Sequence, residues 1–352
     1  NITLEGQGGN SSGDYNNGVY VTHRNTEVTT ESGNITMHGQ GGGRGTSGSN
    51  SGVLIAASGD LDGGATVRAG GTGTVTVTGI GGTSTGNDNI GVLINDTNSK
   101  ITSAGGDVSV TGQGGGSGIS SQNRGVEMHN GATISAGGDG TVSVAGVGGT
   151  STGNGNYGIL VADTNSHITS AGGNVSVNAT GGGAGTSSDN HGLYVVGQSF
   201  ISAGSDGNVL VAGTGGTSTG SFNVGVLIAD ANSRITSHGG NVTVHGQGGG
   251  SSASSVNHGI QVTSGGEISS AGNGNVSISG TGGSTTGDSN LGILVQELGS
   301  QITSAGGNIH VTGVGGGNSD SGESSDNHGV YVSAGVLVTG EGTIRIDGTA
   351  GE

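Results

Sequence analysis

The sequence predicts an all-β fold, a parallel β-solenoid (β-helix) of either hand with about ten stacked coils of 33–34 residues. Three observations predict it. A block of sequence recurs at fixed spacing, aliphatic residues alternate within each copy, and glycine supplies 87 of 352 residues while proline is absent.

The recurring block is Gly82-Thr-Ser-Thr-Gly-Asn-Asp-Asn-Ile-Gly91-Val-Leu-Ile, which returns from Gly149, from Gly216 and, altered, from Gly283. These starts lie 67 residues apart, and each 67 holds two similar halves, so the unit is one coil and the super-repeat is two. The whole of residues 1–352 reads as one repeat domain. Two residues before the glycine that opens each coil stands an asparagine: Asn16, Asn50, Asn89, Asn123, Asn156, Asn190, Asn223, Asn257, Asn290 and Asn327. Stacked amides hydrogen-bond to one another, and asparagine tolerates the left-handed backbone of a sharp corner, so an Asn ladder is expected there.

Three short strands follow in each coil. Strand one begins after the opening glycine and alternates with period two, as in Val92 and Ile94 or Val126 and Met128, with the residue between them facing outward. Strand two centres on Ile101, Ile134, Ile168, Ile201, Ile235, Ile268 and Ile302. Strand three alternates again, as in Val108-Ser-Val110 and Val142-Ser-Val144. One coil can neither bury these aliphatic side chains nor pair its own backbone; stacking coil on coil does both and makes every strand parallel to its copy. A Gly/Ser-rich loop of about ten residues after strand three is expected to project from one corner.

Composition removes several classes. Without proline or a three-residue glycine period the chain is not collagen, and its alternating valines and isoleucines set it apart from disordered chains. The net charge of −17, with seven Lys and Arg, disfavours nucleic acid and anionic membrane as partners. No cysteine is present for a disulfide or thiolate site, and no apolar run approaches the length of a membrane helix. The first residue is Asn, and the two ends, Asn1-Ile-Thr-Leu and Thr343-Ile-Arg-Ile, share one phase of the coil. A segment of a longer chain, or a subunit stacking head to tail, is expected.

Candidate chemistry is sparse. Acids recur at Asp96, Asp163, Asp230 and Glu297, two coils and therefore about 10 Å apart. They sit in turn sequences such as Ala162-Asp-Thr-Asn-Ser166, where a turn role competes with weak metal binding. Gly137-Gly-Asp-Gly-Thr-Val is the nearest approach to a calcium-solenoid motif and lacks Asp at the position where the motif requires it, so no cofactor is expected beyond incidental calcium. His191, His258 and His328 share a slot with Arg124, which argues for partly exposed corner residues rather than a metal ladder. The outward slot of strand one holds Tyr20, Leu54, Leu93, Leu160, Tyr194, Leu227, Leu294 and Tyr331, broken by Glu127 and Gln261. Stacking aligns these into an apolar stripe, which either the Gly/Ser loop or another molecule must cover. The outward row of strand three, including Thr36, Thr76 and Ser109, forms a hydroxyl array interrupted by Leu210, His310 and Arg345.

Repeats of the form Ile101-Thr-Ser-Ala-Gly-Gly-Asp-Val-Ser-Val-Thr-Gly, without cysteine, resemble the filamentous-haemagglutinin-like adhesins and related giant β-strand-repeat bacterial surface proteins. That resemblance covers essentially the whole chain. It implies a right-handed parallel β-helix, export across the outer membrane as an unfolded chain, and service as an extracellular adhesin or fibre. The partners it implies are other copies of the chain, or a glycan or protein at a surface. Two alternatives stay open: a polysaccharide-binding or polysaccharide-cleaving β-helix, for which the irregular coil with Asp60, Asp62 and Arg68 is the candidate, and a phage or viral fibre segment.

Overall fold

A computed structural model describes residues 1–57, 63–318 and 324–351. Asp60 and Asp62 lie outside the described residues. The described residues contain no helix; their strands form three wholly parallel sheets. Strand three of each coil builds an eleven-stranded sheet running from Ile2–Gln7 to Ile344–Thr349. Strand one builds a ten-stranded sheet from Val19–Thr22 to Val330–Ser333, and strand two another from Glu27–Thr30 to Val336–Thr339.

Each strand pairs with the same strand one coil away, and equivalent residues meet: Val108 with Val142, Val126 with Ile159, Ile134 with Ile168. The periodicity of two explains why register is held, because a slip by one residue would turn every aliphatic side chain to solvent. Inside one coil, Val126, Met128, Ile134, Val142 and Val144 are all buried, and their counterparts stack above and below them. Each such burial contributes about 1.5–3 kcal/mol, so the core is a column of repeated layers.

The corner between strand three and the next strand one requires glycine. A Cβ on Gly112 would fall 2.0 Å from the carbonyl oxygen of Gly125, and one on Gly125 would fall 2.4 Å from the Val147 nitrogen. The two segments approach backbone to backbone, which leaves no room for a side chain.

The left-handed corner is placed differently from the sequence expectation. The ladder asparagines do not adopt positive φ; the residue before them does. Tyr15, Ser49, Asp88, Gln122, Asp189, Phe222, Val256, Ser289 and Asp326 have φ between 55° and 62°. The ladder asparagine is needed for its amide, so the turn strain falls on a neighbour whose side chain is free to vary.

Candidate functional site

The Asn ladder is continuous and buried. From Asn50 to Asn290 every member has no exposed surface. The Nδ2 of Asn123 donates to Asn156 Oδ1 at 3.1 Å, Asn156 to Asn190 at 3.2 Å, Asn190 to Asn223 at 3.0 Å and Asn257 to Asn290 at 2.9 Å. The backbone N–H of each also reaches the same oxygen, as Asn156 N–H does to Asn190 Oδ1 at 3.2 Å. A second ladder escaped the sequence reading. Asn174, Asn208, Asn241 and Asn275, just before strand three, each accept the next coil's backbone N–H at 2.8 Å. Its slot also holds Asp107, which accepts from Thr141, so the asparagine signal is diluted there.

The acidic slot is a turn. Asp96, Asp163, Asp230 and Glu297 have φ of 79°, 69°, 74° and 68°, and the carbonyl of each accepts the N–H three residues on. Among the described residues no group of three or more His, Asp or Glu side chains is placed to hold a metal ion.

The strand-one face carries the chemistry. Leu54, Leu160, Leu227 and Leu294 of the stripe are buried, Leu93 and Tyr194 are half-buried, and Tyr20 and Tyr331, in the first and last coils, are exposed. The cover comes from the row just after the ladder asparagines. Tyr157 and His191 stack at 5.1 Å, and both meet the Tyr194 ring edge-on at 5.8 and 5.6 Å. The histidines are not the partly exposed corner residues that their slot predicts. His191 and His258 are buried, and only His328 is exposed. Their Nδ1 atoms accept the backbone N–H of Val224 at 3.3 Å and Leu291 at 3.2 Å. Burial pushes His191 down to about 3, with the neighbouring His258 adding to the effect, and pushes His258 down to about 4. Both are neutral packing residues at pH 7.

One coil breaks the stripe with charge. Glu127 is buried between Leu93 and Leu160 in register. Its Oε1 accepts from Arg124 Nη1 and pairs with His129 Nε2, while His129 Nδ1 lies 3.1 Å from Asp163 Oδ2. The Arg124 guanidinium sits 5.2 Å over the Tyr157 ring. Burial alone would raise the Glu127 carboxyl, but Arg124 and His129 together hold it below the usual carboxylate range. Burial works against a charged His129 as well, and Glu127 and Asp163 overcome it and raise its value. Arg124 Nε and Glu127 Oε2 are buried without a hydrogen-bond partner, which marks the cluster as incompletely satisfied.

Further along the same face a groove of about 510 Å³ opens beside Phe222, Val256, Leu294, Gln261, Gln296 and Asp326. Phe222 is 47 % exposed in the middle of the rod, where both neighbouring coils are present. The groove therefore combines an aliphatic floor, an aromatic wall and amide and carboxylate groups. No protein-family model, curated protein or solved structure matches this chain. The β-solenoid fold itself rests on the coil geometry alone.

Proposed function

We propose that the chain is an extracellular β-solenoid rod that serves as a structural or adhesive element at the bacterial cell surface, a binding rather than a catalytic protein. The observation that carries the reading is the groove at Phe222. An exposed aromatic beside an aliphatic floor and convergent polar groups is the usual composition of a recognition site. The surrounding coils stack in register and give a stiff support, which suits a protein that presents a surface at a distance. The repeat style of the sequence and its freedom from cysteine and proline fit the same reading.

The test is retention of whole cells on immobilised protein, compared with a Phe222→Ser variant of unchanged circular dichroism. The proposal expects retention by the native chain and a loss of about ten-fold in the variant, the scale of one lost aromatic anchor. Absence of retention across host and bacterial cell types overturns the adhesive reading. Full retention by the variant moves the adhesive surface away from this groove.

A further inference from the structure

The charge of the molecule is unevenly spread. The strand-two segments hold three of the seven Lys and Arg residues, Arg68, Lys100 and Arg234, but only two of the 24 Asp and Glu, Glu27 and Glu267. Three cations against two carboxylates give those segments a formal charge of +1 on a chain of net charge −17. The outer surface of the sheet contains a cleft of about 560 Å³ beside His167, Phe200, Arg234 and His238, with one carboxylate, Glu267, at its lining.

The groups in the cleft are ordered by the stacking of coils. His167 and Phe200 are register partners, and their rings lie 4.7 Å apart and 2° from parallel. Arg234 is the next partner, with its guanidinium 4.5 Å over the Phe200 ring. These separations match the inter-strand spacing of about 4.8 Å, so the stack runs along the rod and turns its edges outward. An aromatic edge carries partial positive charge. A guanidinium seated over a ring keeps N–H groups free at its edge, which a carboxylate accepts. Arg234 Nη1 donates to the Asn232 carbonyl at 3.2 Å, and among the described residues neither Arg234 nor Lys100 has a carboxylate within 4.0 Å.

Beside this stack runs a row of hydroxyls. Thr169 and Ser202 lie 2.9 Å apart, and Ser269 donates to Thr236 at 2.9 Å. The row supplies donors and acceptors at each coil. His167 is consistent with a positive field: burial, then the charges of Lys100 and Arg234, push it below its ordinary value despite a hydrogen bond to Asn165.

We propose that this cleft binds a carboxylated sugar chain laid along the rod, with one carboxylate on Arg234, sugar hydroxyls on the Thr/Ser row, and a further carboxylate beyond the cleft on Lys100, four coils from Arg234 in the same register. An acidic peptide would satisfy the cations but would leave the hydroxyl row unused. Glu267, the register partner of Arg234, excludes a second carboxylate on its own side and so sets the spacing between acidic groups.

The test is isothermal titration of the full chain with an oligouronate, with a neutral glucan oligosaccharide of equal length and with poly-glutamate. The proposal expects oligouronate binding that weakens with salt. It also expects a loss of about ten-fold or more in Arg234→Gln, a smaller loss in Lys100→Gln, and no change in Arg345→Gln. Equal binding of the neutral oligosaccharide, equal binding of poly-glutamate, or an Arg234→Gln variant of native circular dichroism and native affinity would each overturn it. Because the groove at Phe222 lies on another sheet, Phe222→Ser should leave oligouronate affinity unchanged.

Discussion

At the scale of single residues, side chains in this protein are judged by what their copies in the neighbouring coils do. Val256 occupies a left-handed corner at φ 60°, where a β-branched residue is strained. Replacing it with Asn should stabilise the chain by about 1 kcal/mol, read as a rise in the denaturant midpoint. Glu127, in an outward row that is otherwise mostly apolar, forms a buried pair with Arg124 of the row beside the ladder. Glu127→Leu alone leaves the Arg124 charge buried and should destabilise by about 3–5 kcal/mol, whereas Arg124→Ile with Glu127→Leu should be near neutral or stabilising. A single variant as stable as the native chain would show that Arg124 escapes to water. His191 and His258 give a pH dependence of definite sign. Their folded values lie below the unfolded value near 6.5, so at neutral pH they carry no penalty. As the pH falls below 6.5 the unfolded chain takes up protons that the folded chain refuses, and stability is lost until the folded values of about 3 and 4 are reached. By pH 5 the loss should be about 2 kcal/mol for each. Urea titrations at pH 6.5 and pH 5 check it, and His191→Leu with His258→Leu should flatten most of the difference.

At the scale of the coil, polar ladders and glycine corners decide what each strand can do. Asn156 satisfies its neighbours with one amide and is fully enclosed. Asn156→Ala removes the acceptor of the Asn123 backbone N–H, while Asn123 Nδ2 keeps Ser120 and Ser151, and should cost about 1–3 kcal/mol for the N–H left unpaired. Gly125→Ala meets backbone on two sides and should destabilise by about 1–3 kcal/mol from overpacking. Both are measurable by thermal denaturation. The ten-fold recurrence made the Asn ladder legible in the sequence. The second ladder was not, because Asp107, Thr141 and Thr343 share its slot with asparagine and a mixed column has no signature. The positive φ fell one residue away from the expected position because the ladder needs the amide held inward, and only the preceding side chain points where the turn can bend.

At the scale of the whole molecule, stability is a sum over coils and their interfaces. Removing residues 149–215, one super-repeat between two glycines of equal phase, should leave a folded rod about 10 Å shorter with native circular dichroism, measurable by small-angle scattering; an unfolded product would show that the coils are not interchangeable. Period and alternation determined the fold class, the coil length, the three strands and the inward rows, because a two-residue periodicity allows only one face to be buried and a 67-residue repeat allows only stacking. They did not determine which outward rows meet solvent. The leucines of the strand-one stripe are as apolar in sequence as Phe222, yet most are covered by the row beside the ladder while Phe222 stands open. The break at Glu127 was visible in the sequence, but its contacts with Tyr157 and Asp163 through Arg124 and His129, like the His167–Phe200–Arg234 stack, join residues 33 or 34 apart that become neighbours only when one coil lies on the next. Periodicity is a property of the chain, whereas contact across coils depends on how neighbouring side chains of unequal size share one corner, and only the tertiary structure decides that.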